Sequence, residues 1–201
     1  MIRLKRLGEI ILLAFTLIYV TAGTLYLVHI GNTEFLAYVV VLVAILGFAA
    51  WCYLRFGIPL WMLWLLSILG ALHLAGGGLL VHGAKLYDYV LIPIPNWTGL
   101  TIWKFDQLVH PLGAIFAALI TYALLARSTP LSRIMLAVIA FMVANGCGAL
   151  NEVIEFITKI TLPDTGVGGY YNTALDLFFN MIGAALGAIG AAIVWKKHPP
   201  K

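Results

Sequence analysis

The chain has 201 residues, 63% of them hydrophobic and 10% charged, with a formal net charge of +4. A soluble domain is about a quarter charged, so this composition excludes one and marks an integral membrane protein. The positive charge lies between apolar stretches, where it orients a membrane protein against anionic headgroups; no nucleic-acid module is present.

Six apolar stretches can each cross the ~30 Å hydrocarbon core as a helix. They cover residues 8–30, 35–56, 59–81, 107–126, 131–158 and 173–195. Helices are expected because an isolated strand would leave backbone groups unsatisfied in lipid. The fold class is therefore all-α, a polytopic bundle of six transmembrane helices forming one integral membrane domain over residues 1–201.

The first stretch follows Arg3, Lys5 and Arg6 and runs on past Thr21-Ala22-Gly23, a poor cleavage site, so it reads as a retained span. Glu9 on it is expected to pair with a nearby Arg or Lys. His29 and Glu34 flank a short turn and read as solvated. Cys52 and Cys147 fall within spans, too few for a disulfide framework and suited to apolar packing. Trp61 and Trp64 open the third span at an interface. That span also carries His73 and, at its far end, His82, separated by Gly76-Gly77-Gly78, which weaken the helix and allow close approach.

The long connection over residues 81–106 contains Pro93, Pro95, Trp97 and Trp103. It is too apolar for a free linker and too Pro-broken for a span. An interfacial or re-entrant segment is expected, anchored by the two tryptophans. Asn96-Trp97-Thr98 within it matches a short glycosylation sequon. Asp88 and Asp164 lie in loops, and His198 in the basic tail.

Lys and Arg set the orientation. With the amino terminus inside, Arg3, Lys5, Arg6, Arg55, Arg127, Arg133, Lys196, Lys197 and Lys201 face the cytoplasm, and Lys85, Lys104 and Lys159 face outward. Both termini are then cytoplasmic and the positive-inside rule is met. The expected location is the plasma or inner membrane.

The chemistry concentrates in the last three spans. Asp106 and His110 open the fourth, Asn151, Glu152 and Glu155 close the fifth, and Asn172, Asp176 and Asn180 open the sixth. A charge at the bilayer centre costs roughly 2.5–3.5 kcal/mol even on lenient scales, so these residues are expected to share one polar pocket under the outer surface. Asp106/His110 and Asp176/Asn180 are four apart and Glu152/Glu155 three apart, so each pair shares one face of its helix. His73 is expected at the floor of the pocket. Carboxylates and imidazole suit two chemistries. Asp106, His110, Glu152, Glu155 and Asp176 can ligate a divalent metal ion, or can act as an acid–base set in which protons replace the metal. Asn151, Asn172, Asn180 and His73 would support them. Gly183 and Gly187 have the spacing for close helix approach, either within the chain or to a second copy or a membrane partner.

These segments resemble known proteins. Phe105-Asp106-Gln107-Leu108-Val109-His110 with Gly113, Asn151-Glu152-Val153-Ile154-Glu155-Phe156, and Tyr171-Asn172-Thr173-Ala174-Leu175-Asp176 with Asn180 and Gly183 are similar to the motifs of YjdF-type inner-membrane proteins. The order is more distantly similar to that of VanZ-like proteins. The resemblance covers about residues 105–187, and Asn172 stands where Asp is common. It implies a six-span membrane protein and these site residues, with no particular reaction.

Two function classes follow. One is a hydrolase or transferase acting on a lipid or lipid-linked headgroup at the outer leaflet. The other is non-catalytic: an ion- or proton-binding subunit, a small transporter or an assembly partner. The nearly apolar inner halves disfavour a through-pathway, and an intramembrane metalloprotease lacks its His-rich ligand set.

Overall fold

The computed structural model describes residues 2–94 and 101–195, with side chains from residue 6 onward. It contains six long helices: α1 (Ile2–His29), α2 (Thr33–Phe56), α3 (Leu60–Gly78), α4 (Asp106–Ser128), α5 (Arg133–Thr161) and α6 (Tyr170–Val194). All six are long and apolar enough to cross a membrane. Large apolar side chains such as Leu54, Ile134 and Val194 lie about four-fifths exposed, as befits surfaces solvated by lipid rather than water. The chain divides into two compact units, Met1–Tyr89 and Val90–Lys201.

In the first unit α1, α2 and α3 pack on one another. Asn32 caps α2 by accepting from the Phe35 amide at 3.0 Å, and Gly57 ends it at φ +66°. The triple glycine ends α3 three residues earlier than the apolar run suggested, and its faces seat aromatic rings. A Cβ on Gly77 would lie 2.0 Å from the Phe35 ring, and one on Gly76 2.6 Å from the Tyr87 ring. Leu79-Leu80-Val81 leave the helix. Strands β1 (Leu80–Val81) and β2 (Ala84–Lys85) form a hairpin, turned by His82 and Gly83 at φ +52° and +83°. Positive φ at both central residues is the pattern of a hairpin turn that matches strand twist. His82 is thus an exposed turn residue and not part of the third helix.

A short 3-10 turn follows at Leu86–Asp88. Two further expectations change here. Glu34 is not solvated: it is 5% exposed and pairs with Lys85 Nζ at 2.8 Å. Glu9 accepts a hydrogen bond from the Tyr53 hydroxyl, the partner found among its described contacts.

The second unit begins with an antiparallel bridge between Val90 and Lys104, supported by the Leu91 amide donating to the Trp103 carbonyl at 2.8 Å. This stretch of the long connection, on either side of residues 95–100, is thus paired in a β-like manner. Trp103 packs edge-to-face on Phe179 of α6, with ring centroids 5.2 Å apart. Trp97, Pro95 and the Asn96-Trp97-Thr98 sequon lie outside the described residues, as do Lys196, Lys197, His198 and Lys201. Cys52 is buried and Cys147 exposed, both as free thiols.

Helices α4, α5 and α6 pack closely in this unit, and small residues make that possible. Ala114, Ala118, Tyr122 and Ala126 of α4, Leu136, Ala140 and Ala144 of α5, and Ala184, Ala188 and Ala191 of α6 form its core. Most are four residues apart, the repeat that keeps side chains on one helix face. A Cβ on Gly183 would lie 2.3 Å from the Pro111 carbonyl oxygen, and one on Gly187 2.6 Å from that of Ile115. The Gly183/Gly187 face thus packs against α4 of the same chain.

Candidate functional site

The stripes that build this alanine seam become polar at one end of each helix. On α4 the line Ala126–Tyr122–Ala118–Ala114 continues to His110 and Asp106. On α5 the line Leu136–Ala140–Ala144 continues through Gly148 to Glu152. On α6 the line Ala188–Ala184 continues to Asn180, Asp176 and Asn172. A four-residue repeat keeps each line on its core-facing side. The polar ends therefore meet for the same geometric reason that the alanines do.

Helix α4 starts at Asp106, after Trp103 at φ +65°, a left-handed conformation unusual for a bulky residue. The fully buried Gln107 holds this entry by accepting from the Lys104 amide at 2.7 Å, while its Nε2 has no partner among the described residues. One turn on, His110 Nε2 lies 3.3 Å from Asp106 Oδ1. Pro111 follows and removes the amide that would have bonded the Gln107 carbonyl. Gly183 of α6 seats against the Pro111 backbone.

Helix α6 begins at Tyr170, after Gly169, three residues before the expected start. Asn172 is consequently helical and one turn from Asp176. Its Nδ2 donates to Asp176 Oδ2 at 2.5 Å and to Asp106 Oδ2 at 3.4 Å, tying two carboxylates from different helices. Asn180 Nδ2 lies 3.3 Å from His110 Nδ1. The amide fits there because position 148 is glycine: a Cβ would lie 2.7 Å from Asn180 Nδ2.

From α5, Asn151 Nδ2 donates to Glu155 Oε1 at 2.8 Å. Glu152 is different. It is only 8% exposed; the Asn151 amide and the Thr173 hydroxyl approach its carboxylate, yet among the described residues neither oxygen has a partner in good hydrogen-bond geometry. Its Oε1 is 3.7 Å from His110 Nδ1. Asp176 is fully buried with Oδ1 likewise lacking such a partner. A buried polar group without a partner typically costs about 1–3 kcal/mol, and more when charged. The charged groups acting on His110 include Asp106, Asp176 and Glu155, and those acting on Glu155 include Glu152, His110 and Asp106. Four carboxylates thus surround one imidazole.

Two sets of three residues bring ligand atoms within 4.8 Å of one another: Asp106, His110 and Asp176, and His110, Glu152 and Glu155. His110 belongs to both. Such sets have the residue types and proximity that oxygen–nitrogen metal sites use.

The structure gathers all five residues expected to carry the chemistry, together with Asn151, Asn172 and Asn180. His73 belongs to the first unit, where its Nδ1 lies 2.6 Å from the Tyr87 hydroxyl and its ring is flanked by Phe35 and Tyr38. The sequence reading overlooked Gln107, Gly148 and Thr173. Gly148 carried a usable signal, four residues before Glu152 on the same stripe. Gln107 was visible as a span boundary and within the Phe105–His110 motif, with no role attached.

The family described as "Predicted membrane protein (DUF2238)" matches residues 10–197, and the chain belongs to that family. The match gives no support to the VanZ-like resemblance. No curated protein and no solved structure matches the chain.

Proposed function

We propose that this protein uses the α4–α5–α6 cluster as a cation-dependent reaction centre that hydrolyses or transfers a lipid or lipid-linked headgroup at the outer leaflet. The observation that carries the reading is the pairing of convergence with poorly met contacts: three helices deliver four carboxylates and an imidazole to one place, and among the described residues buried oxygens of Glu152 and Asp176 lack a partner in good hydrogen-bond geometry. A divalent cation would neutralise much of that charge and give such oxygens a ligand role. The likeness to YjdF-type inner-membrane proteins agrees with the family and supports a plasma- or inner-membrane location. The distribution of Lys and Arg supports the outward-facing position of the cluster.

Hydrolysis adds water across an ester bond. The water oxygen bonds to the headgroup centre, one of its protons passes to a site carboxylate, and the leaving oxygen is protonated in turn. A divalent ion supplies Lewis-acid activation for such a step. His110 would hold that ion through one ring nitrogen while the other lies 3.3 Å from Asp106. The alanine seam beyond the cluster favours a reaction chamber over a conduit.

The test uses purified full-length protein in vesicles of bacterial lipid. His110 is shared by both ligand sets, so His110→Ala should lose a stoichiometric divalent ion that wild type and the exposed control His29→Ala retain. Mass spectrometry should then show headgroup loss from vesicle lipids in wild type, abolished by chelation and by His110→Ala. Bound metal without lipid turnover would favour the second reading, a non-catalytic ion-binding subunit. Absence of metal from wild type would remove the cation-dependent reading altogether.

A further inference from the structure

The two nitrogens of His110 face different company, and the difference assigns the ligands. Nε2 lies 3.3 Å from Asp106 Oδ1, within hydrogen-bonding distance. Asp106 is itself fixed through Oδ2 by Asn172, which also holds Asp176. Nδ1 lies 3.7 Å from Glu152 Oε1, beyond hydrogen-bonding distance; both Glu152 oxygens are more than nine-tenths buried, and among the described residues neither has a partner in good hydrogen-bond geometry. Two atoms bound to one ion at about 2.1 Å with a tetrahedral angle stand about 3.4 Å apart. The Nδ1–Oε1 separation is close to that figure. A neutral imidazole ligates through one nitrogen and donates a proton from the other.

Resting on the cation-dependent reading above, we infer that a single divalent ion sits on the Nδ1 edge of His110, held by Nδ1, Glu152 and Glu155, and that Asp106 is a positioning residue. Asp106 accepts the Nε2 proton, so it fixes the tautomer and aims the Nδ1 lone pair at α5. Carboxylate–histidine–metal arrangements of this kind raise ligand basicity and hold ring orientation. Asn180 completes the set. Turning its amide by 180° puts Oδ1 where Nδ2 now stands, 3.3 Å from Nδ1, as a neutral oxygen ligand. Gly148 provides the space in which that amide turns. Glu152 and Glu155 are three apart on one helix, and so can close on one ion from the same face. The ion's charge is matched by two carboxylates, and Asn172 holds Asp106 and Asp176 together as an outer layer.

Cobalt(II) titration of the detergent-solubilised full chain, followed by its visible absorption, tests the assignment. Wild type should bind one ion per chain. Glu152→Gln and Glu155→Gln should each lose stoichiometric binding, with affinity reduced more than 100-fold. Asp106→Asn keeps an oxygen that can accept the Nε2 proton, and should still bind one ion per chain with affinity reduced about 10–100-fold, the usual effect of losing an outer-layer partner. Melting temperatures of the metal-free variants identify any loss that comes from misfolding, and Asp106→Glu should restore affinity if positioning is the role. Loss of the ion in Asp106→Asn with retention in Glu155→Gln would place it on the Nε2 edge and overturn the inference, leaving the proposed function intact. Absence of cobalt binding in wild type would overturn both.

Discussion

His110 is the residue through which every part of the cluster communicates. Its i,i+4 relation to Asp106 was legible from spacing alone, because a helix forces those two side chains together. The direction of its other nitrogen was not legible. That depends on Asn180, which reaches Nδ1 only because Gly148 on a different helix leaves room. Gly148→Ala should therefore displace the Asn180 amide, a flexible group that can shift, and weaken cobalt binding several-fold while changing the melting temperature little. Equal melting loss and binding loss would mean that Gly148 serves packing alone. Tyr122 offers a separate check on the dry end of the same unit. It is 1% exposed, and among the described residues its hydroxyl has no hydrogen-bond partner. Removing an unsatisfied buried hydroxyl is neutral to stabilising, by up to about 1 kcal/mol. Tyr122→Phe should melt no lower than wild type, and a clear loss of stability would reveal a partner for that hydroxyl.

The helices were legible as elements because uninterrupted apolar runs of this length have few alternatives in lipid. Their ends were less so. Helix α3 stops at Gly78 although Leu79, Leu80 and Val81 continue the apolar run, after three glycines that each weaken it. Helix α6 starts early, at Tyr170, and this brings Asn172 into register with Asp176, a contact that a later start would have missed. The small-residue stripe of α6 was visible as a pattern, but its partner was open until α4 was found against it. Adding a side chain at Gly183 would drive a Cβ into backbone rather than into a movable side chain. Gly183→Ala should destabilise the protein by about 1–3 kcal/mol, the usual range for overpacking, with cobalt binding reduced as α4 and α6 separate. At Gly190 an added Cβ would meet nothing within 4 Å, so Gly190→Ala should leave both properties unchanged. Similar effects at both sites would contradict the α4–α6 contact.

For the whole molecule, hydropathy gave the number of spans, and Lys/Arg asymmetry gave an orientation to test. Six spans place the two termini on one side of the membrane. Cysteines introduced in a background lacking Cys52 and Cys147 can check this. A cysteine at Asp164, exposed in the loop between α5 and α6, should react with an impermeant maleimide in intact cells, and one at Ser128 only after the membrane is opened. The reverse pattern would turn the cluster toward the cytoplasm and remove the outer leaflet as its substrate source. The substrate was not legible at any scale, because the residues that recognise a headgroup need not share the periodicity that exposes a core stripe. The central claim, that α4, α5 and α6 jointly hold a divalent ion, meets its most direct test in anomalous diffraction from crystals grown with zinc and measured on both sides of the zinc edge. The account predicts one strong peak within about 2.0–2.2 Å of a His110 ring nitrogen and a carboxylate oxygen; strong zinc peaks confined to other parts of the protein would contradict it.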